Sequence, residues 1–113
     1  MNDGGDRPMH VIIWEFRARR GREAEFERAY GPKGDWAEFF RRGEGYLGTE
    51  LIRDIETEGR YVTIDRWTSQ TAFETFRSQN VGQYEAIDRQ CELLTEHEAR
   101  VGSFLSISRE LDG

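Results

Sequence analysis

The sequence predicts a single α+β domain with its elements in the order β-α-β-β-α-β. Three observations carry this. The 113 residues are one ordinary domain's length. Four runs rich in β-branched and aromatic residues alternate with period two. Two stretches with apolar residues at three- and four-residue spacing separate the first run from the second and the third from the fourth.

Met1 to Pro8 carries no apolar run, so it reads as a short mobile tail and not as a secretory signal. The expected organisation is a flexible tail over residues 1–9, one domain over 10–109 and a C-terminal tail over 110–113. The first strand is His10 to Arg17, with His10, Ile12, Trp14 and Phe16 on one face and Val11, Ile13, Glu15 and Arg17 on the other. One face is apolar throughout and the other for its first half, so both need cover. A helix follows from Arg22 to Tyr30 and stops at Gly31-Pro32, because proline lacks the backbone donor. Asp35, with Glu38 three residues on, suggests the cap of a short aromatic helix from Trp36 to Arg42.

The second strand spans Tyr46 to Asp54, with Leu47, Thr49 and Leu51 facing one way and Tyr46, Gly48, Glu50 and Ile52 the other. A polar turn leads to the third strand, Arg60 to Thr68, so the pair forms a hairpin with a loop longer than two residues. Val62 and Ile64 face opposite to Tyr61, Thr63, Asp65 and Trp67. Thr68 or Ser69 caps a helix striped by Ala72, Phe73 and Phe76. After a break at Asn80-Val81-Gly82, a longer helix is expected from Gln83 to Arg100, and a last strand from Val101 to Ser108. This order is the ferredoxin-like split βαβ arrangement, an antiparallel sheet with helices on one face. The other sheet face would expose apolar residues of the first strand, which a domain this small rarely tolerates. A second copy, sheet against sheet, is the simplest cover, and a two-fold homodimer is expected.

Charged residues make up 34% of the chain, against about 25% in typical soluble domains. With the lone cysteine, Cys91, which cannot form an internal disulfide, this composition points to the cytoplasm. The net charge of -6 argues against nucleic acid as a partner, since phosphate binding needs a basic face. No run is long enough to span a membrane.

Gly43-Glu44-Gly45-Tyr46-Leu47-Gly48 spells G-x-G-x-x-G, but a helix precedes it and a strand follows. Dinucleotide binding requires the reverse, so the glycines read as a turn and a bulge or close backbone approach. No metal site is expected, because His10, His97 and Cys91 have no ligand spacing. On one shared helix, Cys91 and His97 would point about 240° apart, which excludes a thiol–imidazole pair. Asp65 and Glu50 stand inside strands; a solvated edge, or an ion pair with Arg66 or Arg53, is the expected explanation. The aromatic residues offer the clearest functional signal. Core packing accounts for most of them, yet tryptophan and tyrosine carry polar groups that want partners. A cavity between sheet and helices, walled by such rings, would suit a flat aromatic molecule.

The segments His10 to Phe16 running into Gly21 to Phe26, Gly45 to Leu51, Arg60 to Trp67, and Ala72 to Phe76 resemble the antibiotic biosynthesis monooxygenase family. The resemblance extends over about residues 9–108. It implies a dimeric α+β barrel with a pocket between sheet and helices in each subunit. It also implies a cofactor-independent monooxygenase, needing neither metal nor flavin, acting on an aromatic or polyketide-like molecule. On that reading Trp14, Tyr30, Trp36, Trp67 and Tyr84 bind substrate, and His97 and Arg66 are the catalytic candidates that hold a phenolate. A non-catalytic small-molecule-binding dimer is the alternative. The haem-degrading branch of the family is disfavoured, because its Asn, Trp and His positions fall by spacing on Trp14, Phe76 and about Ala86.

Overall fold

The computed structural model describes residues 8–109. The strands β1 (Met9–Ala18), β2 (Tyr46–Arg53), β3 (Arg60–Trp67) and β4 (Thr95–Ser106) form one antiparallel sheet in the order β2-β3-β1-β4. Between β1 and β2 run α1 (Glu23–Tyr30) and α2 (Asp35–Phe40); between β3 and β4 run α3 (Gln70–Gln79) and α4 (Val81–Cys91). This is the ferredoxin-like α+β fold that the element order predicts. Tail residues 1–7 and 110–113 lie outside the described residues.

The alternation in β1 and β3 sorts their side chains as expected. Ile12, Phe16, Tyr61, Thr63 and Trp67 are buried toward the helices. Ser69 caps α3, its hydroxyl accepting from the Ala72 N–H at 3.0 Å. Asn80 separates α3 from α4 and donates its side-chain amide to the Phe76 carbonyl at 2.8 Å.

Three local expectations need correction. The cap of α2 is Gly34, not Asp35, and no side chain closes it. The Gly34 backbone lies directly against the Arg28 and Ala29 carbonyls, where any Cβ would overlap. Glycine therefore stands at the cap, and Asp35 opens the helix.

In β2, Tyr46 pairs with Trp67 and Gly48 with Arg66, so Leu47 is a bulge without a partner. Gly48 supplies the unusual backbone there, at φ 145°. The bulge reverses the alternation before it. Tyr46 turns to the helix face beside Thr49, and Leu47 is half exposed. Gly43, the first glycine of the G-x-G-x-x-G run, is a close approach: a Cβ there would stand 2.7 Å from the Phe76 ring.

The largest change is at the C-terminal end. The last helix stops at Cys91, a 3-10 turn covers Glu92–Leu94, and β4 begins at Thr95 rather than Val101. The Thr95-to-Arg100 segment is polar and reads as helix by composition. β1 is an interior strand, however, and its backbone from Trp14 to Ala18 needs a partner on that side. Residues Thr95 to Arg100 supply it, with bulges that leave Glu96 and Val101 unpaired. Cys91 and His97 thus do not share a helix.

The core has two clusters. One gathers Phe16, Phe26, Tyr30, Tyr61, Cys91 and Leu94; the other gathers Ile12, Phe39, Phe40, Trp67 and Phe76. Trp14, Trp36 and Ile87 pack against both. The opposite sheet face carries Val11, Ile13, Ile52, Val62, Ile64 and Phe104 with no helix over it; Ile52 is 43% exposed and Phe104 46%.

Candidate functional site

Where the two core clusters diverge, a cavity of about 180 Å³ remains between sheet and helices. Trp14 and Phe16 of β1 form its floor with Thr49, Thr63 and Asp65 of β2 and β3. Tyr30 of α1, Trp36 and Phe40 of α2, and Tyr84 of α4 form its walls. The exposed Arg77, Asp88 and Glu98 mark its rim. Four aromatic walls thus stand over a floor of two rings and three polar side chains, the composition expected of a small-molecule site. An engineered cavity of about 150 Å³ admits benzene. This space therefore holds one or two rings, and a larger ligand must extend past the rim.

The floor is organised around a short hydrogen-bonded chain. The Thr49 hydroxyl donates to Asp65 Oδ1 at 2.5 Å, and the Tyr46 hydroxyl lies 2.5 Å from the Thr49 oxygen. Thr49 has one hydrogen to give, so Tyr46 donates to Thr49 and the chain ends on the Asp65 carboxylate. Burial pushes the Asp65 carboxyl up to about 6; the Thr49 bond and the neighbouring Arg66 pull the other way. Burial likewise raises Tyr30, Tyr46 and Tyr84, so their phenols stay protonated at neutral pH. Burial also raises Glu98, with Asp88 and Glu92 adding to it. The Arg77 guanidinium lies 5.1 Å from the centre of the Tyr84 ring.

Of the residues singled out in the sequence, Trp14, Tyr30, Trp36 and Tyr84 come together around this cavity. Trp36 Nε1 is buried beside the Tyr30 hydroxyl and the Cys91 thiol but closes no hydrogen bond. Trp67 is not among the lining residues. It is 0% exposed, clamped by Phe40, Tyr46, Phe73 and Phe76 at centroid distances of 5.7, 5.3, 5.4 and 5.6 Å.

His97 and Arg66 are not brought to the cavity either. His97 pairs with Arg17 across β1 and β4 on the uncovered sheet face, in a polar depression with Glu15, Arg60 and Glu96. Arg66 stands opposite Val11 on the same face, 3.5 Å from Glu50. Glu50 thus has the ion-pair partner expected of it. Asp65 is the reverse case, set into the cavity and bonded to Thr49 instead of to an arginine. Its place in β3 on the face of Tyr61, Thr63 and Trp67 was the available signal.

Of the positions aligned with the haem-degrading branch, Trp14 lines the cavity, Phe76 is buried and Ala86 is exposed. Among the described residues no three His, Cys, Asp or Glu side chains converge as a metal site. No helix there is long and apolar enough to cross a membrane.

A family model for antibiotic biosynthesis monooxygenases matches residues 9–83, well over half the chain. The chain belongs to the antibiotic biosynthesis monooxygenase family. The match runs from β1 into the start of α4, covering most of the elements that build the cavity. No curated protein matches this monooxygenase-family chain in sequence. Among solved structures it is similar to SnoaB, a cofactor-independent oxygenase from Streptomyces nogalater: 22% identity, TM-score 0.75, covering 92% of this chain and 98% of that one. A protein of Shewanella oneidensis matches at 17% identity and TM-score 0.62, over 88% of this chain and 91% of the other. A protein of Pseudomonas aeruginosa matches at 18% and 0.58, over 91% and 95%. At these identities the likeness to solved structures is one of fold.

Proposed function

We propose that the protein is a cofactor-independent monooxygenase that oxidises an aromatic or polyketide-like small molecule in this cavity, working as a cytoplasmic homodimer. The observation that carries the reading is the aromatic enclosure over a hydrogen-bonded polar floor. Family membership and the fold shared with SnoaB, itself an oxygenase, support it. In the reaction proposed, an anthrone-type methylene loses two hydrogens and gains one oxygen atom of O₂. The second oxygen atom leaves as water. The chain's own residues enclose the ring, exclude bulk water and handle the proton that must leave the substrate before O₂ can react.

The uncovered sheet face supports the homodimer. Ile13 and Ile64 face each other across β1 and β3 there, flanked by Val62 and Phe104. A second sheet laid on this face would bury the patch and place His97 and Arg66 near the joint.

Oxygen uptake with a panel of anthrones and hydroxynaphthalenes tests the activity. Consumption of one O₂ per quinone formed is the expected result. Tight binding of panel members without any uptake would instead establish the non-catalytic binding protein.

A further inference from the structure

Asp65 makes one hydrogen bond among the described residues, to Thr49, although an ionised carboxylate can accept about four. A carboxylate left this short of donors beneath aromatic walls lacks a partner, and a ligand is the natural source of one. We infer that Asp65, oriented by Thr49 and Tyr46, accepts the hydroxyl hydrogen of an uncharged phenol whose inner one or two rings fill the cavity, and that the site rejects carboxylate ligands. The inference rests on the cavity being the substrate site and adds to it the class of ligand and the group that meets it.

Three features of the cavity support this. First, the direction of the Tyr46–Thr49–Asp65 chain leaves the acceptor end facing the ligand. Thr49 gives its hydrogen to Asp65 and receives that of Tyr46, so neither hydroxyl is spare to donate to a ligand anion. Second, the charge around the space is negative. Asp65, Asp88 and Glu98 outnumber Arg77, which already sits against the Tyr84 ring. A ligand carboxylate would meet repulsion on entry, and an ammonium would have to shed its water among apolar rings. A neutral hydroxyl on a flat ring avoids both. Third, the volume of about 180 Å³ encloses one or two rings, so any further ring of a larger ligand lies past the rim.

The proton step balances simply. The ligand O–H bond breaks, its electron pair stays on the oxygen as a phenolate, and the proton bonds to an Asp65 carboxylate oxygen. No electrons change hands. The net charge of the site is unchanged, and the raised basicity of the buried carboxylate narrows its gap to the phenol.

Calorimetric titration of the full chain and its Asp65→Asn variant at pH 7.5 tests this with three probes: 2-naphthol, 2-methoxynaphthalene and 2-naphthoate. Asparagine keeps the shape and can still accept from Thr49. Naphthol affinity is expected to fall at least about tenfold in the variant, the scale of a hydrogen bond to a charged group. The methyl ether, with no hydrogen to donate, should bind both proteins alike. Naphthoate should bind the wild type more weakly than naphthol does, and the variant more tightly than it binds the wild type. Unchanged naphthol affinity overturns the inference. So does an equal loss of naphthol and ether in a variant whose melting curve shows it folded. Aspartate-dependent naphthol binding without oxygen uptake would refute the oxygenase reading alone. Unchanged uptake by Asp65→Asn would refute this inference alone.

Discussion

Thr49 on β2 and Asp65 on β3 are joined across the strand pair by a hydrogen bond of 2.5 Å, with the threonine as donor. This bond stabilises the ionised carboxylate and opposes the burial that raises its pKa to about 6. Thr49→Val removes the donor and leaves a similar volume. The Asp65 titration, followed by the carboxyl ¹³C shift, should then move above about 6. A midpoint that stays or falls would show that Thr49 does not donate to Asp65.

The same carboxyl makes a second, opposite claim about stability. Its folded pKa of about 6 lies above the ordinary aspartate value of 3.8. The group thus favours folding below pH 4, and that contribution disappears as pH rises through 6. Above pH 6 the buried charge costs roughly 3 kcal/mol, at about 1.36 kcal/mol for each pKa unit. Asp65→Asn should therefore melt several degrees higher than the wild type at pH 7.5 and nearly equal to it at pH 4. Glu98 and the tyrosines are common to both proteins and cancel in the comparison. A residue that weakens the fold while serving a ligand is a familiar compromise at functional sites. Equal melting temperatures at pH 7.5 would mean that the carboxylate is well solvated.

Why some of this was legible in the sequence and some was not follows from particular residues. Period-two alternation assigned both faces of β1 and β3 because each strand pairs on both sides without interruption through Ile12, Ile13, Thr63 and Ile64. Alternation failed in β2, because the Leu47 bulge moves Tyr46 to the other face and a bulge exists only relative to a partner strand. It also failed at Thr95 to Arg100, where local composition favours helix and the unpaired edge of β1 decides the outcome. The aromatic walls Trp14, Tyr30, Trp36 and Tyr84 could be found by residue type. His97 and Arg66 are suitable by type as well, but with the bulges at Val101 and Glu96 and the register of β3 they fall on the far side of the sheet. Asp65 shows the complementary difficulty. Its face was readable, whereas its burial depends on how far α2 and α4 stand from the strands.

The three tryptophans should separate stability from binding. Trp67 is fully enclosed by four aromatic rings, whereas Trp14 and Trp36 border the cavity. Trp67→Ala should cost about 3–5 kcal/mol of stability, a large share of the roughly 5–15 kcal/mol typical of a domain. Trp14→Phe should keep the fold cooperative while reducing the affinity for 2-naphthol several-fold. Urea unfolding paired with calorimetry measures both. A Trp67→Ala variant with the wild-type urea midpoint would contradict the packing described for the second core cluster.

Assembly is tested on the uncovered face, where Ile64 stands opposite Ile13 on one side and Glu50 on the other. Replacing Ile64 with glutamate puts two like charges on adjacent strands in the middle of the patch proposed to meet a second copy. The wild-type chain, of 13.2 kDa, is expected to sediment at twice that mass at micromolar concentration. Ile64→Glu should sediment as the single chain, since an unpaired buried carboxylate is costly at a closed interface. Because Asp65 points to the other side of the sheet, the monomeric variant should still bind 2-naphthol if one chain is sufficient to build the cavity. A wild-type protein that sediments at 13.2 kDa would eliminate the sheet-to-sheet dimer, and would leave Ile13, Ile64 and Phe104 as an apolar surface that some other partner must cover.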